Sequence, residues 1–272
     1  ETDIAPCRCI IYTFAPKQQA KAVAVLAKCS YNRSVAFAVS VGKVRMCIEN
    51  RGYYKMYKTV VFDLDGTLLN TLTDLADAGN RLCRKYGWPT HERQAYRYFV
   101  GNGIPKLVER LAPADQRTPA VLEAALADFK RDYGQHLRDT TAPYPGIPEM
   151  LAKLKANGVQ LAVFSNKADA LAKEVVKDYF GTQYFTIVRG QMTGVAPKPA
   201  AEGTNALLQA LHADPASTLY VGDSNVDVET AHNANLPCCG AVWGFRTREE
   251  LNAAGAEYLA ENSDELYDVI MK

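Results

Sequence analysis

Asp63 and Asp65 stand one residue apart at the end of the apolar run Val60-Val61-Phe62, with Gly66 and Thr67 directly behind them. A second pair of acids, Asp223 and Asp227, follows the run "TLYVGDSNVD". In an extended chain residues i and i+2 share a face, so Asp63 and Asp65 can point at one site. Four carboxylates gathered there would repel one another unless a cation held them together. Hard oxygen donors with few histidines nearby favour Mg²⁺. A Mg²⁺ site that also offers a free carboxylate suggests phosphoryl chemistry. Ser165 ends the run "VQLAVFSN", where its hydroxyl and neighbouring N–H groups can bind phosphate oxygens. Lys198, before Pro199 in "GVAPKPAAEG", can neutralise phosphate charge near a helix start. Taken singly, each has an ordinary reading: a helix cap or turn for the acids and Ser165, a solvated loop for Lys198. Their combination argues against those readings.

The elements that must position these residues alternate. Val60–Leu64, 159–166, 184–190, 218–224 and 237–244 are short apolar runs that read as buried strands. Helical segments separate them, among them 146–158, with Ile147, Met150, Leu151 and Leu154 at helical spacing and a Gly stop. This alternation predicts an α/β fold with a Rossmann-like parallel sheet covered on both faces. Residues 70–141 break it and read as helices only, a cap domain inserted after the first strand. The catalytic core is then 56–69 with 142–272. Ligands of such sheets bind beyond the carboxyl ends of the strands, where the cap leaves and re-enters. Within the cap, "GNGIP" places Gly101 and Gly103 before a helix with Pro105 in its first turn. Glycines let backbone N–H groups approach closely, and a helix N-terminus favours an anion.

Composition sets the limits. With 48% hydrophobic residues among 272, the chain can bury a sizeable core. A net charge of +1 argues against a nucleic-acid binder. An odd number of cysteines, seven, with Cys238 and Cys239 adjacent, does not fit a secreted disulfide framework, and the cytoplasm is expected. The adjacent pair reads as core. No apolar run approaches the ~18–20 residues of a membrane span, so no membrane partner is expected.

The motifs "DLDGTLLNT", "SNK", the Lys of "PKP" and "GDSNVDVETA" occur in the order seen in the haloacid dehalogenase superfamily of phosphatases, which the chain resembles from about Met56 to its end. The helical insert is similar to the family's caps that follow the first motif. "FVGNGIPKLVERL", "DYG", "YPGI" and "WGFR" look most like phosphoglycolate phosphatases. The resemblance implies that Asp63 attacks phosphorus and that Asp65 protonates the leaving alkoxide and then deprotonates water. It implies Mg²⁺ on Asp63, the Asp65 carbonyl and Asp223, with Asp227 orienting Lys198 or a metal-bound water. Gly66, Thr67, Asn166, Gly101 and Gly103 are expected around the substrate. That substrate is a small phosphorylated metabolite, 2-phosphoglycolate in the first instance, and the enzyme a monomer or homodimer. Three departures stand out: Asn70 where an acid is common, no second proline after Lys198, and Asn235 at a helix end where Gly is usual.

Other readings stay open on the sequence. A phosphosugar mutase resembling β-phosphoglucomutase would use both acids, and a phosphatase could act on pyrophosphate or a sugar phosphate. A phospho-accepting receiver would have no use for Asp65 or a cap. A haloacid dehalogenase would need no Mg²⁺. Residues 1–55 hold nine Lys/Arg and three Asp/Glu, without clear periodicity. They are expected to be an extension, non-native or disordered. Translated upstream sequence joined to a natural start at Met56 is the leading reading, ahead of an organelle-targeting peptide or a small accessory domain.

Overall fold

The computed structural model describes residues 56–272 and, before them, the backbone of three strands: β1 (Cys9–Tyr12), β2 (Val35–Ser40) and β3 (Lys43–Ile48). These pair antiparallel in the order β1-β3-β2, within a unit that ends at Tyr54. The readings given above for residues 1–55 otherwise lie outside the described residues.

The second unit is built on a six-stranded sheet in the order β11-β10-β9-β4-β7-β8, with every neighbouring pair parallel. The strands are β4 (Thr59–Phe62), β7 (Gln160–Ala168), β8 (Phe185–Gln191), β9 (Thr218–Gly222), β10 (Cys238–Ala241) and β11 (Tyr258–Ala260). This is the expected α/β Rossmann-like architecture. All four residues of β4 and all five of β9 are buried, as strands with helices on both faces must be. Parallel strands need crossovers, and helices supply them: α5 (Ile147–Ala156), α6 (Asp169–Phe180), α7 (Ala201–Leu211), α8 (Asn225–Asn233) and α9 (Arg248–Ala253), with α10 (Ser263–Met271) following the last strand. The first strand of the sheet, β4, lies between β7 and β9, so the strand order reverses at its carboxyl end. A crevice opens there; Asp63 and Asp223 directly follow the ends of β4 and β9, and Ser165 lies in the last part of β7.

Two short strands, β5 (Leu69–Asn70) and β6 (Ala142–Pro143), pair antiparallel beside the crevice. The chain between them is helical: α1 (Leu72–Tyr86), α2 (Arg93–Phe99), α3 (Ile104–Leu111) and α4 (Pro119–His136). Asp74 ties this segment to its own return, accepting hydrogen bonds from the N–H and hydroxyl groups of Thr140 and Thr141. Asn70 is exposed and its backbone pairs with Ala142, so the missing acid leaves no gap in the crevice. Asn235 adopts φ +56°, the left-handed conformation that asparagine tolerates where glycine is usual. Cys238 and Cys239 are fully buried in β10, as core residues.

The sequence runs differ from the strands in instructive ways. The run 237–244 contains only the four-residue β10; the chain then turns through Gly244 to Arg246 and crosses the crevice. The run 159–166 is too short, because β7 continues to Ala168. Its pairing with β8 is interrupted between Phe164 and Ala168, which frees the residues between to turn toward the crevice. The strand β11 and the helix α2 carry no strong periodicity and were not read from the sequence.

Candidate active site

The extended run ends at Phe62, so Asp63 and Asp65 sit in the loop beyond it rather than on one face of a strand. Both still border one cleft at the sheet's carboxyl edge, together with Ser165, Asn166 and Lys167. Different lysines hold the two acids. Asp63 Oδ1 lies 2.9 Å from Lys198 Nζ, at an angle that makes an ion pair without a hydrogen bond. Asp65 accepts from Lys167 Nζ, at 2.9 Å to Oδ1 and 3.2 Å to Oδ2.

Behind Asp63 the floor of the site is acidic. Carboxylate oxygens of Asp63, Asp223 and Asp227 lie within 4.8 Å of one another, and all three residues are buried. Asp223 Oδ1 accepts from Thr67 Oγ1 at 3.0 Å, and its Oδ2 from the Phe245 N–H at 2.7 Å. Asp227 does two things at once. Its Oδ2 accepts from the N–H and hydroxyl of Ser224 and so caps α8, while its Oδ1 takes Lys198 Nζ at 2.7 Å. Burial works against the Lys198 charge, but Asp227 and Asp63 outweigh it and hold the ammonium well above its usual range. Burial pushes Asp63 up to about 6 despite Lys198, with Asp227 adding to the rise. Burial, then Asp227 and Asp63, raise Asp223 well above the ordinary carboxylate range.

Three clustered buried acids, of which two pair with the one lysine, are an unbalanced group. Their donor set is all oxygen, and Asp63 Oδ1 has no hydrogen-bond donor among the described residues. The residues present therefore fit a hard divalent cation. Two glycines make the room. A Cβ on Gly66 would stand 2.2 Å from Asp223 Oδ2, and one on Gly244 would stand 2.2 Å from Asp223 Cβ and 2.5 Å from the Gly66 carbonyl oxygen.

The remaining sequence-predicted residues fall into place around this floor. Ser165 is buried beside Asp63 in the cleft wall, its hydroxyl accepting from the Lys167 N–H at 3.3 Å. Asn166 lines the cleft, but its amide is engaged as a brace: Oδ1 accepts from the Lys198 N–H at 2.8 Å, and Nδ2 donates to the Lys198 carbonyl at 3.2 Å and to the Gly101 carbonyl at 2.9 Å. Gly101 and Gly103 form part of the wall at the N-terminus of α3, with φ +107° and +83°. Space does not demand glycine there, since a Cβ on Gly101 would meet nothing and one on Gly103 would make ordinary contacts; the positive φ does. Lys106 and Arg110 turn away from the cleft. Lys106 pairs with Glu109, and Arg110 donates to the carbonyls of Tyr98 and Phe99 and to Asn102.

Sequence reasoning missed several participants. Lys167 lay inside the motif "SNK" without a role. Tyr133, on α4, accepts a hydrogen bond from Lys167 Nζ at 2.9 Å. Arg97, on α2, donates to the carbonyls of Phe245 at 2.8 Å and Gly244 at 2.6 Å, and Arg246 returns a hydrogen bond to the Arg97 carbonyl. The loop that presents the Phe245 N–H to Asp223 is thus clasped from the helical segment. "WGFR" was the only trace of it in the sequence.

A Rossmann-like sheet with an acid-floored crevice under helices defines a class of hydrolase, and comparison with known proteins identifies it. Residues 60–241 match the family model of haloacid dehalogenase-like hydrolases. The chain belongs to that family. It is an enzyme of the family's phosphatase type. A phosphoglycolate phosphatase of Chromobacterium violaceum is 31% identical over 79% of this chain and 97% of its own length. One of Vibrio parahaemolyticus is 28% identical over 78% of this chain and 96% of its own. Among solved structures, a protein of Lactobacillus delbrueckii subsp. bulgaricus assigned as a phosphoglycolate phosphatase superposes with a TM-score of 0.75 at 28% identity, covering 79% of this chain and 99% of that one. Among the described residues no helix is long and apolar enough to cross a membrane.

Proposed function

We propose that the chain is a Mg²⁺-dependent phosphatase of small phosphomonoesters that hydrolyses 2-phosphoglycolate through an aspartyl-phosphate on Asp63. One observation carries the chemistry: two acids border one cleft, each held by its own buried lysine. One can then act as nucleophile while the other handles protons. The names of the relatives support the substrate.

An Asp63 carboxylate oxygen attacks phosphorus, and the bond to the ester oxygen breaks. Asp65 gives its proton to that oxygen, so glycolate leaves as the neutral alcohol at its hydroxyl. Asp65, now a carboxylate, takes a proton from water. The resulting hydroxide attacks the aspartyl-phosphate, releasing phosphate and restoring Asp63. Ser165 and the N–H groups near it hold phosphate oxygens, while Lys198, fixed by Asp227, neutralises charge beside Asp63. Asp63, Asp223 and the Asp65 carbonyl would hold the metal. When bound, Mg²⁺ offsets the charge between the attacking carboxylate and the phosphate. The three described cysteines are free and buried, which suits a reducing compartment, and we place the enzyme in the cytoplasm.

The assay that tests this reading is phosphate release from a panel of small phosphomonoesters, with and without Mg²⁺. Phosphoglycolate is expected to have the highest kcat/KM, and activity is expected to vanish on chelation. Equal activity without metal, or a sugar phosphate far ahead of phosphoglycolate, would contradict it.

Two substitutions probe the assignments. Asp65→Asn should retain slow turnover of an aryl phosphate, whose leaving group needs no proton, and lose alkyl phosphates by a further ~10²–10⁴-fold. Equal losses on both would argue against proton donation by Asp65. In Gly244→Ala the new methyl group meets Asp223 Cβ and backbone, neither of which can yield easily. Its Mg²⁺ affinity should fall about 10–100-fold. A titration that finds wild-type affinity would remove Asp223 from the metal site.

A further inference from the structure

Lys167 is the only cation among the described residues that line the cleft. Its side chain is 2% exposed and lies between Asp65 on the floor side and the Tyr133 hydroxyl on the helical side. Lys198 is already committed to Asp63 and Asp227, deeper in the floor. The wall formed by Leu75, Val100, Ile104 and Leu107 is apolar and offers no charge. A substrate whose phosphate sits at Asp63 and Ser165 therefore meets one place in this cleft where a second negative charge can be paired.

We propose that Lys167, assisted by the Tyr133 hydroxyl, is the specificity determinant that reads a carboxylate on the substrate next to its phosphate ester. This rests on the phosphatase reading above and names the residues that select its substrate. Three features support it. The ammonium lies in the cleft lining within hydrogen-bond distance of both the Asp65 carboxylate and the Tyr133 hydroxyl. Burial raises the Tyr133 hydroxyl to about 12, so it keeps its proton and can donate to an anion while it accepts from Lys167. Asp65, the partner that Lys167 holds here, is the group that must turn to the leaving oxygen during the reaction. A carboxylate one carbon from that oxygen is within reach of the charge Asp65 releases, so substrate and acid exchange places on one lysine. An apolar wall makes the selection sharper, since a carboxylate left unpaired against it would be desolvated without return.

The test compares kcat/KM for 2-phosphoglycolate with that for 2-hydroxyethyl phosphate, a neutral-tailed analogue of similar size, in wild type, Lys167→Met and Tyr133→Phe. An aryl phosphate and a thermal melt report whether each variant is folded. Wild type is expected to favour phosphoglycolate. That ratio should fall at least about 30-fold in Lys167→Met and about 5-fold in Tyr133→Phe, whatever happens to absolute rates. If both substrates lose activity alike in Lys167→Met and the ratio holds, Lys167 merely positions Asp65 and the proposal is overturned while the phosphatase reading stands. If wild type itself hydrolyses both esters without preference, no carboxylate is read, and the phosphoglycolate assignment falls with the proposal. If Lys167→Met does not fold, an unchanged ratio in Tyr133→Phe overturns the proposal, and a reduced one supports it.

Discussion

Asp63→Asn should lower Mg²⁺-dependent turnover by at least about 10⁴-fold with every substrate. The substitution replaces one carboxylate oxygen by an amide nitrogen at nearly constant volume. It removes the attacking atom but leaves the packing around Val61 and Phe62 intact. The fold should be kept for a second reason. Asp63 is one of three buried acids clustered in the floor of the site, and removing one negative charge relieves repulsion among them. The expected result is a folded protein, with a melting temperature at or above that of metal-free wild type, that binds phosphoglycolate and does not turn it over. A folded variant retaining a substantial share of activity would show that another group attacks phosphorus.

The second large effect concerns the cation. Metal-free protein carries Asp63 and Asp223 above their usual pKa values, chiefly through burial. A carboxylate whose folded pKa exceeds its unfolded value stabilises the fold fully only below the unfolded value. That contribution is lost as pH rises through the folded value, about 6 for Asp63. Metal-free protein should therefore lose stability between about pH 4 and 6 from this source. Mg²⁺ competes with the protons, so its stabilising effect should grow over the same range. At pH 8 and a Mg²⁺ concentration of 100 times Kd, the gain should be about 2.7 kcal/mol, read as a rise in Tm. At pH 5 it should be distinctly smaller. Asp223→Asn should abolish most of the shift at pH 8. A Tm that ignores Mg²⁺ at every pH would contradict a metal site on these acids.

Residues that sit at strand ends were legible because the sequence marks a strand end well. Asp63, Ser165 and Asp223 each follow an apolar run, and a parallel sheet brings successive strand ends to one edge whatever the detail of packing. Lys198 was legible only through the motif around it, since a loop lysine has no periodicity. Its place beside Asp63 and Asp227 depends on Asn166, which grips its backbone on both sides. Lys167 was hidden for two physical reasons. The strand β7 runs two residues farther than its apolar pattern, and the partner Tyr133 comes from a helix inserted between β4 and β7. Nothing local announces a contact between residues 34 positions apart. The Gly101–Gly103 loop was read for close backbone approach, yet φ is what demands glycine there. Gly103→Val would consequently strain the backbone and report little about substrate, which makes Lys167→Met the cleaner probe of specificity.

The central claim is that Asp63 carries the phosphoryl group. The direct measurement is mass spectrometry of protein quenched in acid during turnover of phosphoglycolate with Mg²⁺, most usefully in Asp65→Asn, where the water step is slowed. The account predicts one added phosphoryl group on the peptide that contains Asp63, labile to hydroxylamine as an acyl phosphate is, and absent from Asp63→Asn. A phosphoryl group found on Ser165 or another side chain, or steady turnover with no trapped phosphoenzyme in either protein, would contradict it.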